Sequence, residues 1–194
     1  MQREFTAPTL TKAIHQATNR IEKHKIPTIS YKSWSTTDFI KHFYSGRGRT
    51  VSLNNMGLLN SVRREASRLA IDRNGGFKDQ IRDEVRIVKT GRVRKDFKNS
   101  YSFGNIRRVM RGGTLTGGFR GNTKLRGSIL SFSGDISVVY SDIFEDALSL
   151  VQIRYGSSSS ADAPDWLRRI SNSKGTPYKI IGVWQERFEE KIVL

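Results

Sequence analysis

Apolar residues recur at helical spacing in the first half of the chain and in short runs in the second. Leu10, Ile14, Ala17 and Ile21 predict a short amphipathic helix over Thr9–Lys25, ended by Pro27. Trp34, Phe39, Ile40, Phe43 and Tyr44 form the next stripe and predict a helix over Ser33–Tyr44. Ser35, Thr36 or Thr37 can cap it, Asp38 suits its first turn, and Gly46 follows its end. His42 lies beside the stripe, as a helix-face histidine near the C-terminal dipole. Gly46-Arg47-Gly48-Arg49 then leads into a short strand, Thr50–Leu53. The clearest helix is Leu58–Ile71, with Leu58, Leu59, Val62, Ala66, Leu69 and Ala70 on one face and Arg63, Arg64 and Arg68 on the other. Asn74-Gly75-Gly76 ends it, and Phe77–Val85 adds a turn or two.

From Val85 the period changes. Val85, Ile87, Val93, Phe97, Tyr101 and Phe103 open a series of short apolar runs that continues to Val139, and glycines punctuate it. Thr90-Gly91, Gly112-Gly113 and Gly121-Asn122 read as hairpin turns. Basic residues alternate with the apolar ones, so one sheet face should be core and the other strongly positive. Gly156–Ala163 reads as a loop, Asp165–Ile170 as a turn of helix, and Pro177–Trp184 and Phe188–Val193 as strands. The expected fold is α+β: N-terminal helices followed by a Gly-punctuated antiparallel β-sheet or partly open barrel. Residues 1–32 read as an arm or adaptor helix, and 33–194 as a single α+β domain.

Composition narrows the function. The chain has 194 residues and a formal net charge of +16, from 34 Lys and Arg against 18 Asp and Glu. No apolar run approaches the ~20 residues of a membrane-spanning helix. Met1–Ile14 carries charged and polar residues where a signal peptide would be apolar, which implies synthesis in the cytoplasm. With no cysteine there is no disulfide framework and no thiolate chemistry. The charge points to an anionic, phosphate-bearing partner, either nucleic acid or a phosphate-bearing lipid, or to an anionic membrane surface.

Conventional catalytic signatures such as HExxH and GxSxG are absent. In so basic a chain the carboxylates stand out where they cluster, at Asp135 and then Asp142, Glu145 and Asp146. Asp142, Glu145 and Asp146 can hold Mg²⁺ with a substrate phosphate completing the shell, or one of them can activate water. The other reading is surface carboxylates paired with arginines. With arginines nearby, Asp142 and Glu145 should have low pKa values and be ionised at neutral pH. Arg107, Arg108 and Arg111 in the sheet, and Arg47 and Arg49 in the Gly-rich loop, are the candidate phosphate-binding groups. That loop reads either as a phosphate cradle or as a helix C-cap and turn.

The order of these parts resembles the activity domain of colicin M, the family of bacteriocins that degrade lipid II. Ser35–Leu58 is similar to the family's helix, Gly-containing turn and strand, ending in an Asn-x-x-Gly-Leu-like segment. Tyr101–Phe132 resembles its Gly-punctuated strands, and Gly175–Ile180 its closing Gly-x-x-Tyr strand. Ser141–Asp146 falls where the family has an acidic Asp-x-Tyr-Asp motif. Asp142 matches the first acid, Phe144 replaces Tyr, and Glu145 replaces the second Asp. The family's His-Arg pair is missing: Val151 and Gln152 stand there, no histidine follows His42, and Arg154 is the nearest cation.

The resemblance implies a toxin-like domain that hydrolyses the phosphoester of lipid II at the periplasmic membrane face with a divalent metal. Asp142, Glu145 and Arg154 would be its catalytic residues. It also implies delivery to the periplasm of a target bacterium and an immunity protein as partner. Two other classes stay open. One is a basic nucleic-acid-binding protein or nuclease toxin, which the charge and interleaved aromatics suit. The other is a non-enzymatic structural protein of a phage or secretion system. The sequence fixes neither the oligomeric state nor the metal.

Overall fold

Ser35 opens the first helix, α1 (Thr36–Ser45), because the Asp38 carboxylate accepts both its amide and its hydroxyl, each at 2.7 Å. The computed structural model describes residues 33–106, 110–145, 165 and 175–194, without the side chains of 103–111. The expected helix over Thr9–Lys25, the arm at 1–32, the loop at 156–163 and the turn after Asp165 lie outside those residues.

Helix α1 buries Phe39, Ile40 and Phe43. A two-residue strand, β1 (Val51–Ser52), follows. Helix α2 (Leu59–Ala66) buries Val62 and Ala66. It runs on through a widened turn, Ser67–Ile71, where the Asp72 amide reaches back to the Ser67 carbonyl at 2.8 Å. Helix α3 (Phe77–Val88) buries Phe77, Ile81 and Val85 at helical spacing. It extends past the expected turn or two and takes up Val85 and Ile87, which the alternation assigned to strands.

Four long strands follow among the described residues: β2 (Gly91–Ile106), β3 (Met110–Arg126), β4 (Ile129–Phe144) and β5 (Tyr178–Val193). The sheet order is β1-β5-β4-β3-β2. It does not close on itself, so the fold is α+β with a partly open sheet. The long strands pair antiparallel, but β1 runs parallel to β5, with Val51 opposite Ile180, so the sheet is mixed rather than purely antiparallel. Two expected turns prove to be strand interior. Gly112-Gly113 and Gly121-Asn122 both lie within β3, and Thr90-Gly91 joins α3 to β2 rather than two strands. Pro177–Trp184 and Phe188–Val193 merge into β5.

The inner sheet face carries Val93, Leu115, Phe119, Phe132, Ile136, Val138 and Trp184, which join Val62, Ala66, Ile81 and Val85 of the helices in one core. Gly121 and Gly134 face each other across β3 and β4, and the Phe119 ring lies over both. A methyl at either would sit within 2.6 Å of that ring. Ion pairs bind the helices to β5: Arg63 and Lys78 to Glu186, at 3.6 and 3.3 Å, and Arg82 to Glu190 at 2.9 Å. Lys78 and Arg82 also stand over the Phe188 ring. The outer face is basic, as the alternation implies. Arg94 and Arg120 share Asp96, and Arg187 pairs with Asp135.

Candidate functional site

Strand alternation puts Asp142 on the same face as Tyr140, at the end of β4. Asp142 sits there between two buried rings of the core, Tyr140 and Phe144. The carboxylate is half-buried and tied at both oxygens. Oδ1 accepts the Ile143 amide at 2.8 Å, and Oδ2 lies 3.2 Å from the Tyr140 hydroxyl. That hydroxyl also donates to the Gly112 carbonyl at 2.7 Å. A phenol has one proton, so the carbonyl and an ionised Asp142 compete for it. Gly113 makes room for the ring: its φ is +155°, and a Cβ there would lie 2.3 Å from Tyr140 Cε2.

Burial raises the Asp142 pKa above the usual carboxylate range. The Ile143 amide and the Tyr140 hydroxyl pull against that rise, and repulsion from Glu145 adds to it. No arginine among the described residues figures in these causes, and the raised pKa corrects the expectation that the basic surroundings would hold Asp142 low. Tyr140 and Tyr178 are also pushed up, first by burial and then by the Asp142 charge.

Tyr178 opens β5 opposite Phe144 and stacks on its ring, with centroids 5.1 Å apart. Its hydroxyl points to the Phe39 carbonyl at 3.4 Å. His42 stands edge-on to Tyr178 at 4.6 Å and beside Trp34 at 5.4 Å. His42 Nε2 lies 2.8 Å from the Arg49 carbonyl, so the histidine braces the Gly-rich loop as well as the helix face.

Of the two readings of that loop, the structure shows the helix C-cap and turn. Gly46 caps α1, its amide donating to the His42 carbonyl at 2.7 Å. Arg47 and Gly48 then turn left-handed, with φ of 53° and 70°. Gly48 abuts Thr176 and Pro177, and the Thr176 amide donates to the Phe43 carbonyl at 2.9 Å. Since β5 starts at Tyr178, opposite the end of β4, the exposed Arg47 and Arg49 lie at the same end of the sheet as Asp142 and Glu145.

Asp142, Glu145, Thr114, Ser141, Ile143 and Gly113 line a depression of about 380 Å³. Of the expected site residues, the structure therefore gathers Asp142 and Glu145 in one depression and holds Arg47 and Arg49 at the same sheet end. Asp146, Arg154, Arg107 and Arg108 lie outside the described residues, as does the Arg111 side chain. Sequence reasoning missed Tyr140 and Tyr178. The signal for Tyr140 was present, two positions before Asp142 on one strand. Tyr178 reaches the site only through the pairing of β4 with β5.

No family model and no curated protein matches the chain. Among solved structures it is similar to a truncated form of the bacteriocin syringacin M from Pseudomonas syringae pv. tomato DC3000. The identity is 15% over 94% of this chain and 74% of that one, with a TM-score of 0.42. These neighbours are colicin M-like bacteriocins. The bacteriocin syringacin M matches at 17% over 82% of this chain and 52% of its own, with a TM-score of 0.44. Pectocin M2 matches at 16% over 94% and 64%, with a TM-score of 0.37. The chain thus spans about half of the syringacin M chain. At these identities and TM-scores the likeness decides nothing about activity, which has to be argued from the site.

Proposed function

We propose that the chain is a diverged antibacterial toxin domain of colicin M type that hydrolyses the phosphoester of lipid II at the periplasmic membrane face. The observation that carries this reading is the juxtaposition at one sheet end. Asp142 and Glu145 share a depression, and the left-handed loop bearing Arg47 and Arg49 is held next to the start of β5. Phosphoester hydrolysis needs charge neutralisation around the phosphate and an activated water. Arg47 and Arg49 suit the first role as exposed cations, with Arg154 as a further candidate. Asp142 or Glu145 suits the second as a general base.

Mg²⁺ is usually held by one or two carboxylates, with water and substrate phosphate filling its shell. Asp142 and Glu145 fit that demand: they line one depression, and their mutual repulsion, which adds to the larger effect of burial on the Asp142 pKa, is what a dication would relieve. Among the described residues no third His, Asp or Glu joins them, so water and the substrate phosphate would fill the rest of the shell, with Asp146 as the remaining candidate ligand. Bound there, the cation would supply Lewis-acid polarisation of the phosphate. The exposed Ile143 between the two acids suits the apolar part of a lipid-linked substrate.

Expression in a bacterium with and without a periplasmic export signal tests the proposal. Lysis only on export, abolished by Asp142→Asn, is the expected result. The basic outer sheet face favours a second reading, action on nucleic acid. Growth arrest from cytoplasmic expression without lysis would replace the first reading with that one.

A further inference from the structure

We propose that the end of the sheet remote from Asp142 carries a separate site for the phosphate group of a small organic phosphate. An open depression of about 770 Å³ lies there, within the size range of small-molecule sites. Its outward-facing lining comes from two adjacent cross-strand rows. Lys124, Ser131 and Lys191 form one row across β3, β4 and β5, and Asn122, Ser133 and Glu189 form the next. Neighbouring strands lie about 4.8 Å apart, so the two lysine backbones stand about 10 Å apart with a serine between them. Each flexible lysine stem can swing its ammonium over that serine, and the pair can close on one dianionic phosphate.

The remaining chemistry of the depression agrees. Neither lysine forms an ion pair with a described residue. The Ser131 hydroxyl donates to the Lys124 carbonyl at 3.2 Å. Ser133 and Asn122 bond no other described side chain, which leaves their donors for phosphate oxygens. Of the carboxylates at the rim, Glu189 lies 3.8 Å from Arg187, which it shares with Asp135, and Glu190 is held on the opposite face by Arg82 at 2.9 Å. The space around the lysine row exceeds what a bare phosphate fills, and Glu189 with Asn122 suits the hydroxyl groups of a sugar. The class that fits is therefore a sugar phosphate, and the site is independent of the Asp142 chemistry.

Titration of the isotope-labelled full chain with ribose 5-phosphate and with inorganic phosphate, followed by amide NMR shifts, tests the proposal. Saturable shifts confined to the amides around Lys124, Ser133 and Lys191 are expected, with ribose 5-phosphate the tighter ligand. Lys124→Gln with Lys191→Gln should weaken it about tenfold or more. Both side chains are exposed, and an unchanged Tm will show that the double variant is folded. Asp142→Asn should leave the titration unchanged, which separates failure here from failure of the proposed hydrolase. Non-saturating shifts spread over the basic surface, equal affinity for the two probes, or an undiminished response in the double variant would each overturn the proposal.

Discussion

A single hydroxyl proton, shared between the Gly112 carbonyl and Asp142, sets the character of the candidate site. Hydrogen bonds from the Ile143 amide and the Tyr140 hydroxyl favour the ionised acid, but burial outweighs them and shifts the balance toward the protonated form. Asp142 carries a pKa raised above its ordinary value of 3.8. Its contribution to stability is thus fully present below about pH 4 and is lost as pH rises through the raised folded value. Asn resembles the neutral acid and lacks the titration. Asp142→Asn should therefore match the parent in Tm at about pH 3 and exceed it at pH 7, where each kcal/mol gained is worth about 2–4 °C for a chain of this size. The same change should abolish lysis of exported cells. A rise in stability with a loss of activity marks a residue retained for chemistry. A fall in Tm at pH 7 would show instead that Asp142 serves as an ionised structural partner. Gly113→Ala probes the site from the other side. Its methyl meets the Tyr140 ring, so the variant should lose about 1–3 kcal/mol in denaturant unfolding. It should also move the phenol off Gly112, which the tyrosine fluorescence will register.

Helices α1 and α2 were legible in the sequence nearly to their ends, because caps and stripes agreed at Ser35, Asp38, Val62 and Ala66. Helix α3 was cut short. Phe77, Ile81 and Val85 are spaced four apart, but Val85, Ile87 and Val93 also sit two or six apart, and β-branched residues favour strand. The core decides, since it admits Ile81 completely and leaves Ile87 76% exposed. Ile81→Ala should cost about 2–5 kcal/mol in chemical denaturation, whereas Ile87→Ala should stay within about 0.5 kcal/mol. Equal losses would return Ile87 to a buried strand row. Glycines misled the strand boundaries for a physical reason. Gly113, Gly121 and Gly134 sit mid-strand because aromatic rings of the core lie against them, and sequence alone cannot tell such close approach from a turn. The same limit applied to the site. Asp142, Glu145, Arg47 and Arg49 were visible as residue types. The burial that reverses the Asp142 pKa depends on Tyr140, Gly112 and Tyr178, which long-range pairing brings together.

Across the whole molecule, charge and topology have separate consequences. A net charge of +16, with an outer sheet face rich in Lys and Arg, should make any polyanion binding fall steeply with salt through counterion release. Elution from a heparin column should need several hundred millimolar salt or more, about what multiple phosphate-like contacts demand. Elution near physiological salt would reduce the face to a solubility device. Topology acts on time instead. The first strand, β1, pairs with the last, β5, and β5 also lies against β4. Before Tyr178–Val193 is in place, β4 lacks its β5 partner and Phe144 keeps its contacts with Phe39 and Phe43 but lacks Tyr178, the ring it stacks on. Long-range pairing of this kind makes completion slow compared with helix formation. Under the proposed function, a chain without Tyr178–Val193 would be inactive even at the periplasmic face, because the strand that joins β1 to β4 also brings Tyr178 to the site.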